Sequence, residues 1–140
     1  MKFAALMLTV QLTFAATAEP SADAWDVVAT LAAALAEPNY AGFMKPIAKS
    51  CDQHDRIERL VRALIQTNDV VSSISPIMNE GDDKQRMLEV DWYMEIQPQT
   101  AGGNQTRRHE YIKATLTKTG KRWMITALIP IEFFAPPSTN

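Results

Sequence analysis

The feature that most constrains this chain is a change in its hydrophobic period near Val70. Before this residue the apolar side chains recur at helical spacing, and after it they alternate with polar ones, as on a strand with one buried face. Helices followed by strands are typical of an α+β domain, whereas a parallel sheet needs the two kinds of element to alternate. We therefore predict an α+β fold in which three N-terminal helices pack on a strongly curved, four-stranded antiparallel sheet.

Each of the three predicted helices carries one apolar face. Pro38 ends the first helix and Pro46 bends or ends the second, because proline lacks the N–H that a helix interior needs. The apolar positions are Trp25, Val28, Leu31, Ala32 and Leu35 in the first helix, Tyr40, Phe43, Met44 and Ile47 in the second, and Ile57, Leu60, Val61, Leu64 and Ile65 in the third.

Four segments carry the strand pattern, at residues 70–79, 86–97, 107–118 and 122–134. A two-residue turn at Thr119-Gly120 and a symmetric loop around Gly102 set a register, because antiparallel neighbours pair outward from their turn. This register predicts a helix-facing side of the sheet in which large and small apolar residues alternate. Its rows are Leu88–Leu116–Trp123, Val90–Ala114–Ile125 and Trp92–Ile112–Ala127.

Glu110 interrupts this apolar side. In the predicted register it shares a row with Met94 and Ile129, and Arg108 lies beyond. Because an unpaired buried charge is costly, Glu110 either lies at the sheet end, in water or paired, or lines the mouth of a pocket between sheet and helices. In a pocket it would serve as an acid, a base or a ligand anchor. The predicted pocket residues are Trp25, Tyr40, Phe43, Trp92, Met94, Arg108, Glu110 and Ile129.

His54 is the second candidate for chemistry, since it lies in a loop before the third helix that could edge the pocket. Glu110 and His54 are therefore the catalytic candidates, because both side-chain types transfer protons. Neither His54 nor His109 has a second ligand at a metal-binding spacing, and no nucleotide fingerprint occurs, so we predict no metal and no cofactor. Cys51 is the single cysteine, so an internal disulfide is excluded.

The opposite side of the predicted sheet carries an aromatic row. Tyr93, Tyr111 and Leu128 fall in line, and Met124 flanks them. Exposed aromatic rows often mark contacts, and symmetric dimers are the commonest oligomers, so we predict a homodimer through this face. The charged pairs predicted on the same side are Asp91–Lys113 and Glu95–His109.

The N-terminus has the layout of a secretory signal peptide. A basic start at Lys2 precedes an apolar run over residues 3–14, and Ala16-Thr17-Ala18 gives the small-residue cleavage pattern. The apolar run is too short to cross a bilayer comfortably, so no stable membrane anchor is expected. We predict export to the periplasm or the medium after cleavage near Ala18.

The predicted organisation is therefore a signal peptide at residues 1–18, one domain at 19–137 and a disordered tail at 138–140. Removal of Lys2 from the 14 lysines and arginines leaves 13 basic against 16 acidic residues in the exported chain. Nucleic-acid binding needs a concentrated basic face, so this class of partner is not expected.

Three sequence features resemble the nuclear-transport-factor-2-like superfamily, which includes ketosteroid isomerases, scytalone dehydratases and SnoaL-type polyketide cyclases. They are the helices that precede a strongly bent antiparallel sheet, the Glu80-Gly81-Asp82 turn and the strand opening at residues 120–125. The resemblance covers roughly residues 22–137. The chain is also similar to exported bacterial members without an assigned activity, which end in a run like that at residues 131–137. It implies a cone-shaped, cystatin-like roll with a pocket between helices and sheet, and frequent dimers. None of the catalytic residues of the isomerases or dehydratases has a counterpart by motif.

Three functions remain open from the sequence. An exported small-molecule-binding or accessory domain without chemistry of its own is favoured, because no catalytic motif is present. The alternatives are an acid–base enzyme that acts on a hydrophobic small molecule through Glu110 or His54, and a protein-interaction module that uses the sheet face. A deep pocket with a carboxylate or imidazole at its wall would distinguish the enzyme from the binding domain.

Overall fold

Three helices precede four strands in the computed structural model, which describes residues 20–138, with side chains from Ala24 onward. The strands pair in chain order, and each pair is antiparallel. The predicted α+β fold is thus confirmed, while the predicted signal peptide and residues 139 and 140 of the predicted tail lie outside the described residues. The elements are α1 Pro20–Ala36, α2 Tyr40–Met44, α3 His54–Thr67, β1 Asn68–Gly81, β2 Gln85–Pro98, β3 Thr106–Thr119, β4 Arg122–Ile129 and a 3-10 helix Ile131–Phe134.

The helices form one layer over the sheet because each buries an apolar stripe. In α1 the buried positions Ala24, Val28, Leu31 and Leu35 follow helical spacing, and the small alanines let the helix approach the sheet closely. Trp25 is only partly buried at the edge of this core. None of the helices in the described part of the chain is long and apolar enough to span a membrane.

The turn from α3 into β1 is made by Asn68, a buried polar residue. Its side-chain amide donates to the carbonyl of Leu64 at 2.9 Å and so satisfies one of the last carbonyls of the helix. The chain then enters β1 without a loop, which fixes the direction of the first strand relative to α3.

The β2–β3 register differs from the prediction by two residues. Leu88 lies opposite Ala114, not Leu116, and Trp92 lies opposite Glu110. The reason is the centre of the connecting loop, because the paired residues are symmetric about Ala101, one residue before Gly102. A shift of two preserves the face of every side chain, because side chains alternate with a period of two.

The β3–β4 pair contains a bulge that the prediction missed. Leu116 lies opposite Ile125 and Thr115 opposite Ala127, so Thr126 is an extra residue in β4. One extra residue reverses the faces of the residues beyond it. Leu128 is consequently buried (3% exposed) and Ile129 is exposed (61%). The predictions that Leu128 lies on the outer face and Ile129 in the pocket are both wrong.

The end of the chain is not the continuous strand that the sequence predicts for residues 122–134. The last strand ends at Ile129, and a 3-10 helix follows in which Ile131, Phe133 and Phe134 are buried. The outer edge of β4 is covered in part by the segment after α2. Ile125 donates its N–H to the carbonyl of Pro46, and Ala48 donates to the carbonyl of Ile125, both at 2.8 Å.

Candidate functional site

The interior of the cone, where the pocket is expected, holds four large side chains. Trp92 and Met94 project from β2, Phe43 from α2 and Phe134 from the 3-10 helix, and each has 0% accessible surface. Trp92 and Phe134 meet edge to face with ring centroids 5.2 Å apart, and Phe43 and Phe134 do so at 5.4 Å. Aromatic pairs favour this geometry. The cone is therefore closed by interlocking rings.

A side chain that borders a water-sized space keeps accessible surface, so these values mean that no such space touches the four residues. In this structure the side chains of Phe43, Trp92 and Met94 fill the interior in which the sequence predicts a ligand pocket. Phe133 and Phe134 also fill the interior but were not among the predicted pocket residues, and the ring of Phe133 lies 6.0 Å from that of Trp92. Pro130 and Pro136, which flank these two residues, are the signal that could have excluded a strand here.

The remaining predicted pocket residues lie outside the filled interior, and of these Arg108 and Glu110 border the same groove. Tyr40 is on the surface, with the guanidinium of Arg62 4.5 Å from its ring centroid. Arg108 is half-buried and donates hydrogen bonds to the carbonyls of Phe133, at 2.8 Å, and Ala135. Burial lowers the pKa of the Arg108 guanidinium. Arg108 thus fastens the end of the chain to β3.

The two catalytic candidates do not share a cavity. Glu110 is exposed at the rim of an open groove of about 500 Å³ that also contains Arg108 and Glu132. His54 is half-buried at the start of α3, and its Nδ1 lies 3.3 Å from the carboxylate of Asp55. The structure therefore brings neither Glu110 nor His54 to a closed site.

One group of side chains in the described residues could offer several atoms to a cation. Ligand atoms of His54, Asp55 and Glu58 lie within 4.8 Å of one another. The carboxylate of Glu58 already accepts a hydrogen bond from Arg62 at 2.8 Å, and clusters of this kind are common on helices without an ion. The absence of a metal stays a prediction.

The outer face of the sheet carries a line of rings. The ring of His109 lies 6.5 Å from that of Tyr93 and 6.3 Å from that of Tyr111, which is 60% exposed. His109 pairs with Asp91 and not with Glu95, because of the register shift. The Tyr93 hydroxyl donates to Glu95 at 2.8 Å, and this hydrogen bond raises the pKa of Tyr93.

Charges on the outer face are sorted by strand. The outward positions of β2 include three acids, and those of β3 include three bases, one of them a histidine. Each acid lies opposite a base or next to one. The acids are Glu89, Asp91 and Glu95, and the bases are Arg107, His109 and Lys113.

The sequence itself matches neither a protein-family model nor a curated protein. Solved structures nevertheless share its architecture, an α+β cone of helices on a curled antiparallel sheet. A protein from Novosphingobium aromaticivorans, provisionally assigned as a scytalone dehydratase, superposes with a TM-score of 0.68 at 8% identity, over 76% of this chain and 78% of that one. A Kribbella flavida protein gives 0.64 at 10% identity, over 84% and 98%.

A nuclear-transport-factor-2-like protein of unknown function from Shewanella oneidensis gives a TM-score of 0.59 at 9% identity, over 78% of this chain and 96% of that one. The chain therefore has the nuclear-transport-factor-2-like fold that its sequence resembles. At sequence identities this low the similarity defines the fold only, and the function must be argued from the residues of the site.

Proposed function

We propose that this protein is an exported accessory domain without chemistry of its own, which acts through the outer face of its sheet. The partner that we propose for this face is a second copy of the same chain, which makes the protein a homodimer. The observation that carries the proposal is the filled cone, in which Trp92, Met94 and Phe43 have no accessible surface. Because the interior is filled, a partner can contact only apolar side chains that are exposed on the surface, and this favours the outer face of the sheet as the binding surface.

The acid–base alternative has less support. Proton transfer is favoured where a cavity excludes water and holds the substrate against the catalytic group. Glu110 is exposed beside an open groove, and His54 is turned toward Asp55. Neither residue meets these conditions, which favours binding over catalysis.

The outer face suits a second copy because it is complementary to itself. In a two-fold pair of facing sheets, the acidic positions of β2 in one copy can lie over the basic positions of β3 in the other. Tyr111 and Ile129, both about three-fifths exposed, supply the apolar centre that such an interface needs. With Tyr93 and Met124 they define the proposed dimer face, in which Ile129 takes the place predicted for Leu128.

Export is supported by the signal-peptide pattern of the first 18 residues. Expression of the full chain in a bacterial host, followed by fractionation and N-terminal sequencing, tests it. The expected result is periplasmic or secreted protein that begins at Glu19. Retention of Met1 on a cytoplasmic protein would contradict it.

The dimer is tested by multi-angle light scattering on Tyr111→Asp. A buried aromatic residue at the centre of an interface commonly contributes about 2 kcal/mol or more, roughly a thirtyfold change in dissociation constant. We expect the native protein to be a dimer at micromolar concentration and Tyr111→Asp to be a monomer.

Tyr40→Asp is the matched control, because Tyr40 is an exposed tyrosine on α2, away from the sheet face. It is expected to leave the dimer intact. A native protein that stays monomeric at the concentrations tested, or a Tyr111→Asp variant that remains dimeric, would overturn the proposed interface.

A further inference from the structure

A surface cavity of about 350 Å³ lies between α1, the end of α2 and the β3–β4 hairpin. It is separate from the interior of the cone, because the α1 residues at its wall are Asp26, Val27 and Thr30 and not the buried positions of that helix. Its volume falls at the lower end of the range of small-molecule sites. The wall is largely apolar and is formed by Val27, Pro46, Trp123 and Met124.

The mouth of this cavity is cationic. Lys45, Lys121 and Arg122 are exposed at its edge, and none of them forms an ion pair with another described residue. Asp26 is the one acid among the lining residues, so the local charge is +3 − 1 = +2. This is opposite in sign to the net charge of −2 of the chain. A small cavity with a positive edge on a negative protein favours an anion.

Trp123 forms part of the apolar wall of this cavity. It is 4% exposed, and the ammonium group of Lys118 lies 5.6 Å from the centroid of its ring. The small accessible part of the ring adds to the apolar surface of Val27 and Pro46, against which the body of a ligand can pack.

We propose that this cavity binds a small organic anion with an apolar body. The body packs against Trp123 and Val27, and the carboxylate or sulfonate group is held by Lys121 and Arg122, with Lys45 across the mouth. Met124 borders both this cavity and the proposed dimer face, but the residues that hold the anion, Lys121 and Arg122, are not among those that define that face, so the inference does not rest on the dimer. The sequence predicted a hydrophobic small molecule in the pocket between helices and sheet, and the proposed site would bind such a molecule outside the cone.

The test uses octanoate as the probe, with 1-octanol and octylamine as neutral and cationic probes of the same chain length. Binding is measured by isothermal titration calorimetry and by tryptophan fluorescence on the purified protein. Octanoate is expected to bind, and the two other probes to bind more weakly. Higher salt is expected to weaken octanoate binding, since exposed charges are screened.

The variant Lys121→Ala/Arg122→Ala is expected to weaken octanoate binding by roughly tenfold to a hundredfold, the range for loss of charge-assisted hydrogen bonds. Arg59→Ala/Lys84→Ala removes the same charge elsewhere and is expected to have no effect. Thr30→Trp fills the cavity from an exposed position and is expected to abolish binding. Asp26→Asn, which removes the acid, is expected to tighten it.

Four results would overturn the proposal. They are no octanoate binding at millimolar concentration, equal binding of octylamine, unchanged binding by the double variant, and unchanged binding by Thr30→Trp. Titration of the Tyr111→Asp variant keeps the two proposals apart, because loss of the dimer is expected to leave octanoate binding unchanged.

Discussion

At the scale of single residues, Arg108 shows how one side chain takes a structural role that its position suggested for a ligand. It lies at the end of the inner face of β3, where the sequence predicts a pocket lining. Its guanidinium donates instead to the carbonyls of Phe133 and Ala135. These carbonyls belong to the segment whose Phe133 and Phe134 rings fill the interior, so Arg108 helps to keep the cone closed.

Replacing Arg108 with alanine is therefore expected to loosen the end of the chain. Hydrogen bonds from a charged donor contribute about 1.5–3 kcal/mol, and we expect Arg108→Ala to lower the free energy of unfolding by about 2 kcal/mol. Urea denaturation measures the change, and hydrogen exchange at Phe133 and Phe134 locates it. Arg107→Ala, at an exposed neighbour whose Nε is 3.7 Å from Glu95, is the control and is expected to be near neutral. An equal effect of both variants would contradict the role of Arg108.

At the scale of the elements, the hydrophobic periods predicted the number, order and direction of helices and strands. They did so because both periods are imposed by burial of one face. The pairing of those strands was harder to predict. It depends on the residue at which the loop after β2 is centred and on one extra residue, Thr126, and neither leaves a hydrophobic pattern. This is why Glu110 was expected beside Met94 and lies opposite Trp92.

The β1–β2 turn is an element whose stability is expected to depend on pH. Asp82 accepts hydrogen bonds from the backbone N–H groups of Gln85 at 2.8 Å and Lys84 at 2.9 Å. These two hydrogen bonds lower the pKa of Asp82 from its ordinary value of 3.8, and the bond from Gln85 has the larger effect. A carboxylate whose pKa is lower in the folded state adds stability at higher pH and loses it as the pH falls through the folded pKa.

Asp82→Ala is expected to destabilise the protein at neutral pH, and the difference from the native protein is expected to shrink below a pH of about 3.8. Thermal unfolding across the acid range measures it. Asp83→Ala is the matched control, because no hydrogen bond to the Asp83 side chain is found among the described residues, and it is expected to change little. A difference between native protein and Asp82→Ala that persists at the lowest pH would mean that the turn does not depend on the charge.

At the scale of the whole molecule, the sequence predicted the cone but not what it contains. A pocket and a filled core use the same residue types, so Trp92 and Phe43 satisfy either interpretation. Phe133 and Phe134 determine whether the interior is open or filled, and they are distant in sequence from the helices and strands that surround it. Only the path of the chain after Pro130 brings them inside. The outer face shows the same limit of prediction, because the bulge at Thr126, which the sequence pattern does not reveal, turns Leu128 inward and Ile129 outward.

The filled cone leads to a prediction for Trp92, the largest fully buried side chain in the described residues. Trp92→Ala leaves a void at the centre and is expected to cost about 3–5 kcal/mol of unfolding free energy. Trp25→Ala, at a partly buried tryptophan on α1, is expected to cost less. Because an apolar void binds small apolar molecules, indole is expected to raise the melting temperature of Trp92→Ala and to leave that of the native protein unchanged. Thermal melts with and without indole measure both effects. A native protein stabilised by indole as strongly as the variant would mean that its cone already opens to ligands, and the case for action through the surface would fall with it.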